Sequence, residues 1–205
     1  MAIACPVGFD IQGLRREVSA VYRDVALDPA KIQHFHTGPA YAVNQLGYDA
    51  VSLSTLPESC TASFAGVGNP HRIGAYRMGQ IVLDVGCGAG TDLLLAAREV
   101  SPTGMAIGVD MTPAMRDRAR THARAAGLDR VVDIRPGLAE DLPVADERID
   151  VVISNGVINL ATDKAAAYSE IFRVLKPGGE LRIADVIIQI ELNEHERSDV
   201  GLWAA

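Results

Sequence analysis

The stretch IVLDVGCGAGTDLLLAAREV, residues 81–100, decides the fold. Its first five residues are apolar except Asp84 and mostly β-branched, the signature of a strand buried on both faces. Three glycines follow at alternate positions, Gly86, Gly88 and Gly90. From Thr91 to Val100 the apolar residues recur at helical spacing. A strand that turns through glycines into a helix lets its backbone approach a ligand closely, and the helix start offers unpaired N–H groups. The glycine spacing is GxGxG with Thr91 next, so the dinucleotide pattern GxGxxG is not met.

Working outward from this unit, the alternation of strand and helix continues. Further strands are expected at Met105–Val109, Val131–Arg135, Ile149–Ser154 and Glu180–Ile190, and helices at Thr91–Val100, Pro113–Ala126 and Thr162–Leu175. Apolar strands alternating with amphipathic helices mean βαβ units, hence an α/β, doubly wound, Rossmann-like parallel sheet with any ligand at the carboxyl ends of its strands. Residues 1–78 read differently. Ile11, Leu14, Val18, Val21, Tyr22 and Val25 mark a helix capped by Asp10 and closed by Pro29. A second helical piece, Ala40 to Leu46, ends at Gly47, and a third starts at Asp49. No strand is expected there, and two parts follow: a helical N-terminal lid segment, 1–78, and a ligand-binding core, 79–205.

Composition excludes several classes. Of 205 residues, 48% are apolar and 22% charged, enough for a substantial core and too ordered for a low-complexity chain. Nineteen basic against 26 acidic residues leave a net charge of −7, which argues against nucleic-acid or anionic-membrane partners. No apolar run approaches the ~18 residues of a membrane span. Cys5, Cys60 and Cys87 are too few for a disulfide framework. A soluble cytoplasmic protein is expected.

Two carboxylates define the ligand. Asp84, two residues before the first glycine, would oppose a pyrophosphate but suits an ammonium group. Asp110 ends the next strand, twenty residues after Gly90, where a carboxylate accepts the hydroxyls of a ribose. Together they select a nucleoside with a cationic amino-acid tail.

With LDVGCGAG (83–90), GVD (108–110), GLAEDLPV (137–144), DVVISN (150–155) and RVLKPGG (173–179), the chain resembles the class I S-adenosylmethionine-dependent methyltransferases over roughly residues 79–190. The resemblance implies S-adenosylmethionine as cofactor. Asp84 and the loop Gly86–Cys87–Gly88–Ala89–Gly90 would hold its methionine part, Asp110 its ribose, Met111 the adenine, Ala139 and Glu140 the adenine amino group, and Asn155 would lie beside the sulfonium. It also implies the strand order 3-2-1-4-5-7-6. With fifteen residues after Ile190, the core is expected to lack the last two strands. The apolar edge Glu180–Ile190 would then be covered by self-association or by the C-terminal segment.

Within that family GVGNP (66–70), AEDLPV (139–144) and SNGVINL (154–160) look like the arsenite methyltransferases, which carry arsenic-binding cysteines at the positions of Val67 and Gly156 here. A further cysteine of that family would fall near or beyond Ala205. Valine and glycine supply no thiolate. The reading is therefore a methyltransferase for a small-molecule acceptor, with no metal site and no assigned catalytic residue, since no unclaimed His–Asp pair follows the fourth strand. The alternatives are true arsenite methylation through other thiols, with Cys60 near the same lip, and a non-catalytic cofactor-binding module. His34 and His36 read as a loop over the cofactor entrance. The stripe Arg116, Arg120 and Arg124 reads as a solvated helix face.

Overall fold

The computed structural model describes residues 10–28 and 35–187. Helix α1 (Ile11–Leu27) starts where Asp10 accepts the Gly13 N–H on its side chain, as its position before the apolar periodicity predicts. Three short helices follow, α2 (Pro39–Asn44), α3 (Ala50–Ser54) and α4 (Glu58–Ala62), then a 3-10 turn at Pro70–Ile73. Asp49 caps α3 by accepting the Ser52 N–H. Helix α4, in a stretch rich in small residues, has no strong periodic signal in the sequence.

The core alternates β1 (Ile81–Val85), α5 (Thr91–Val100), β2 (Met105–Asp110), α6 (Pro113–Ala125), β3 (Val132–Pro136), β4 (Ile149–Asn155), α7 (Lys164–Val174) and β5 (Leu175–Ala184). All pairings are parallel, in the order β3-β2-β1-β4-β5. The sheet is buried on both faces. Leu83, Val85, Ile107, Val109 and Val152 pack against Ala167, Ile171 and Val174 of α7. On the opposite face Val82, Val151 and Ile153 meet Ala96 and Val100 of α5. The chain leaves β1 toward β2 and β3, then returns to β4 and β5 on the other side, so a crevice opens at the carboxyl ends between β1 and β4.

The expected elements hold within a residue or two, except the last strand. It begins at Leu175, five residues before the expected Glu180, and within the described residues it ends at Ala184; residues 188–190 lie outside them. Its early part is the segment LKPGG, whose proline and glycines read as a turn in sequence. The structure resolves this with an irregularity: Leu175 pairs with Ile149 and Glu180 with Val151, so the extra residues bulge outward. Lys176 Nζ, in the bulge, donates to Asp150 Oδ1 at 2.7 Å. Among the described residues β5 is the sheet edge, and Phe172 of the adjoining α7 is 83% exposed.

Candidate functional site

A cavity of about 1110 Å³, its open mouth included, sits over the carboxyl ends of β1, β2 and β4 and beside the turn after β3. Leu14, Val18 and Tyr22 of α1 roof it. Nine of the ten candidate binding residues line it: Asp84, Gly86, Cys87, Gly88, Asp110, Met111, Ala139, Glu140 and Asn155. Gly90 does not. It caps α5 behind the loop at φ +100°, a left-handed conformation that side chains rarely adopt, so its requirement is the backbone turn itself.

Asp84 is 3% exposed, and its Oδ2 lines up with no hydrogen-bond partner among the protein groups. Burial, then the charges of Asp92 and Asp110, push its carboxyl well above the usual range. Asp110, at the end of β2, accepts the Gly88 N–H on Oδ2 (2.9 Å) and the Thr112 N–H on Oδ1 (2.8 Å). Burial nonetheless raises its pKa. Each oxygen keeps a further lone pair for a hydroxyl. Gly88, with φ +51, has nothing within 4 Å of a built Cβ, so the loop presents bare backbone to the cavity. Cys87 packs on β2 at Gly108, and burial raises its thiol pKa well above the usual value.

Glu140 is already engaged. Its Oε1 accepts from Thr162 N (2.9 Å) and Oγ1 (2.7 Å), and the Arg15 guanidinium of α1 lies 3.5 Å away. Burial pushes its carboxyl up, but these bonds and the Arg15 charge hold it below the usual range. Asn155 is engaged as well. Its Oδ1 accepts Val67 N (2.8 Å) and Gly68 N (3.1 Å), and its Nδ2 donates to Gly68 O (2.9 Å) and Asp92 Oδ2 (2.9 Å). It fastens the Gly66–Gly68 loop to the end of β4.

A buried cluster beside Asn155 escaped the sequence reading. Asp92 Oδ1 accepts from Tyr48 OH (2.6 Å) and meets His71 Nε2 (3.0 Å). Tyr48 and Asp92 are 44 positions apart, and Asp92 looks like an ordinary first-turn helix acid, so no local pattern links them. Burial pushes the Asp92 carboxyl up, but the bond and charge of His71, with Tyr48 and Asn155, bring it below its ordinary value.

Three expectations need correction. Cys60 does not reach the lip: it is fully buried under the loop, its thiol directed at Ala89 O and Thr91 Oγ1, both 3.6 Å away. Burial pushes its pKa up to about 12. The arginine stripe is not simply solvated, because Arg116 donates to the carbonyls of Asp110 and Met111 at 2.8 Å and Arg120 to that of Ile134. A guanidinium on a helix packed beside strand ends finds free carbonyls that periodicity cannot reveal. His36 stacks near Tyr41, their ring centroids 5.1 Å apart, and does not line the cavity; His34 and Cys5 lie outside the described residues.

Residues 77–203 match the family described as methyltransferase domain. The chain belongs to that family. The chain is 45% identical over 143 residues to an arsenite methyltransferase of Halobacterium salinarum, a match covering 70% of this chain and 36% of that protein. It is 38% identical to a demethylmenaquinone methyltransferase of Symbiobacterium thermophilum, over 51% of this chain and 41% of the relative. Among solved structures it resembles an arsenic (III) S-adenosylmethionine methyltransferase from Chlamydomonas reinhardtii, with a TM-score of 0.67, 37% identity, and coverage of 82% of this chain and 55% of that one. The chain thus spans between about a third and just over half of the length of these relatives. The α/β, doubly wound sheet is the Rossmann-like core of class I methyltransferases. No helix among the described residues is long and apolar enough to cross a membrane, and no group of three or more His, Cys, Asp or Glu among them could hold a metal.

Val67 and Gly156, where the resemblance to the arsenite methyltransferases leads one to expect cysteines, are neighbours. A Cβ on Gly156 would lie 3.2 Å from a Val67 methyl. The wall they form beside Asn155 is apolar and carries no thiol.

Proposed function

We propose that this chain transfers the methyl group of S-adenosylmethionine to a small-molecule acceptor. The observation that carries the reading is the unpartnered, buried Asp84 Oδ2 in a cavity that also presents a bare glycine loop and Asp110. Leaving a buried carboxylate oxygen unpaired is costly, so the site is chemically complementary to a cation. Asp84 would take the cofactor's ammonium group, the Gly86–Gly88 backbone at the α5 start its carboxylate, and Asp110 its ribose hydroxyls. Met111, Leu138 and Ala139 form the apolar slot that suits a purine. Glu140 serves through Arg15 and Thr162, holding α1 against this slot.

When bound, S-adenosylmethionine supplies a methyl group on a sulfonium, already activated for displacement. The protein's own task is alignment and water exclusion. Leu14, Val18 and Tyr22 close the roof, while Gly66, Asn155 and Val157 wall the β4 side, where the acceptor would lie. No free general base faces that side among the described residues. Asp92 is saturated by three donors, and Asn155 is spent on the loop. This favours an acceptor that is soft or already ionised. Arsenite methylation through Cys60 has no support, because that thiol is buried away from the cavity and its pKa is raised. A binding module without turnover would show cofactor binding alone.

We also infer a cytoplasmic protein in which residues 1–78 act as lid over the core at 79–205. Cys60 and Cys87 are unpaired thiols, and α1 roofs the cavity. Among the described residues no strand pairs with the outer side of β5, and with exposed Phe172 this supports self-association at that edge. The test of the main reading is calorimetric titration with S-adenosylmethionine, followed by incubation with the methyl-labelled cofactor and a panel of thiols, metalloids and phenolate-type metabolites. Stoichiometric binding and one labelled product are expected. Absence of binding would overturn the reading, and binding with no labelled product from any acceptor would leave the module.

A further inference from the structure

His71 touches no part of the cavity, yet it anchors a relay that ends on the cavity wall. It sits in the 3-10 turn Pro70–Ile73, its N–H donated to Asn69 Oδ1 (3.1 Å). Its ring is held edge-on between Tyr48 and Tyr76, with centroids 5.9 and 5.6 Å away. A carboxylate only accepts, so Nε2 carries the proton in the 3.0 Å contact with Asp92 Oδ1. On the other side of the ring Nδ1 lies 2.9 Å from Tyr76 OH. Tyr76 is fixed in turn by Arg182, which lies 4.7 Å from its ring centroid and donates to Gly74 O (2.6 Å) and Ala75 O (3.0 Å). Arg182 is 2% exposed and is itself paired with Glu180 at 2.8 Å.

From Asp92 the relay runs toward the cavity. Asp92 Oδ2 accepts from Asn155 Nδ2, the amide whose Oδ1 receives Val67 N–H and Gly68 N–H. The same nitrogen also donates to Gly68 O (2.9 Å) and Tyr48 OH (3.1 Å), and a flipped amide would face donors with donors, so Asp92 supplies the charged member of a set of contacts that together hold this orientation. Gly66 and Gly68 have no side chains, so the loop is held by Asn155, by Tyr48 OH donating to Gly68 O (3.2 Å) and by Asn69 Nδ2 donating to Gly47 O (3.1 Å). Chains of hydrogen bonds in a poorly solvated interior reinforce one another.

We propose that His71 is a positioning residue: through Asp92 and Asn155 it sets the Gly66–Gly68 wall on the β4 side of the cavity, the side assigned above to the methyl acceptor. The assignment of that side rests on the proposed function; the mechanical relay does not. His71 supplies one donor to Asp92 through Nε2, and Tyr76 OH meets the ring's other nitrogen.

The test compares wild type, His71→Leu and His71→Gln by amide hydrogen exchange on the chain without added ligand. A glutamine amide can donate to Asp92 and accept from Tyr76, whereas leucine fills the space and does neither. In His71→Leu the amides of Val67 and Gly68 should exchange about ten- to a hundredfold faster, the factor expected from losing one bond to a charged group. The amides of α5 beyond its first turn should keep their wild-type rates, and His71→Gln should restore most of the loop protection. Unchanged loop exchange in His71→Leu overturns the proposal. So does acceleration spread equally through α5 and β1, or a glutamine variant no better than leucine, because either would mean that the ring serves only general packing. A wild-type chain that fails to bind S-adenosylmethionine would remove the acceptor assignment while leaving the exchange pattern to decide the relay.

Discussion

Asp84→Asn separates stability from binding at one atom. The change is nearly isosteric: the carbonyl oxygen can keep the bond from the Leu93 backbone N–H, and an uncharged amide replaces the unpartnered Oδ2. In the free protein the variant should be the more stable one. The amide nitrogen stays buried and unpartnered, so the gain is only the added cost of a charge there; at ~1–3 kcal/mol and about 2–4 °C of Tm per kcal/mol for a chain of this size, a rise of roughly 2–12 °C is expected at neutral pH. The sign of the pH dependence follows from the raised carboxyl. Between the unfolded carboxylate range and the raised folded value, the native state binds more protons than the unfolded one. Wild-type stability contributed by this group therefore falls as pH rises through that window. Asparagine removes the loss, so the stability gap between variant and wild type should widen from pH 4 upward. Binding should move the opposite way. A hydrogen bond to a charged group is worth ~1.5–3 kcal/mol, so S-adenosylmethionine affinity should drop by roughly ten- to 150-fold. Calorimetric titration and thermal melts across pH read both arms. A variant that binds as tightly as wild type refutes the ammonium assignment, and one that melts no higher refutes the buried-charge argument.

Asp110→Ala removes acceptors for Gly88 and Thr112 as well as for a ribose, so S-adenosylmethionine affinity should fall at least tenfold; calorimetry showing an unchanged Kd would contradict the ribose role. Val67→Cys with Gly156→Cys places two thiols on adjoining backbones and should create arsenite binding that survives desalting, with either single change much weaker. The glycine change costs ~1–2 kcal/mol because φ at 156 is +73°, so the double variant should also melt lower; metal analysis finding tight arsenic in the unmodified chain would reverse the argument. Phe172→Glu places charge beside the β5 edge and should weaken self-association in sedimentation runs; a wild-type chain that stays monomeric at every concentration removes that edge as an interface.

Much of the core was legible in residues 79–184 because its signals are local. A doubly buried strand needs consecutive apolar residues, a helix needs its 3.6-residue recurrence, and the bare loop at Gly88 needs an unsubstituted backbone. The acids at strand ends could be found for the same reason: parallel topology sends the carboxyl ends of β1 and β2 to one rim, so Asp84 and Asp110 meet whatever lies between them. Contacts between distant segments had no such signature. Tyr48, His71, Asp92 and Asn155 come from a helical appendage, a 3-10 turn, the first turn of α5 and the end of β4, and only packing of the appendage on the sheet brings their polar atoms within 3.1 Å. Cys60 shows the same limit from the other side. Seven residues from Val67 it was near in sequence, but α4 turns its thiol into the core. The residues by themselves determined the parallel sheet, the glycine loop and its two acids, since backbone sterics and hydrophobic periodicity act over a few positions. Tertiary structure alone decided which polar groups are spent on one another and which, like Asp84 Oδ2, find no partner among the described residues, because a hydrogen bond is settled by position in space and not by distance along the chain.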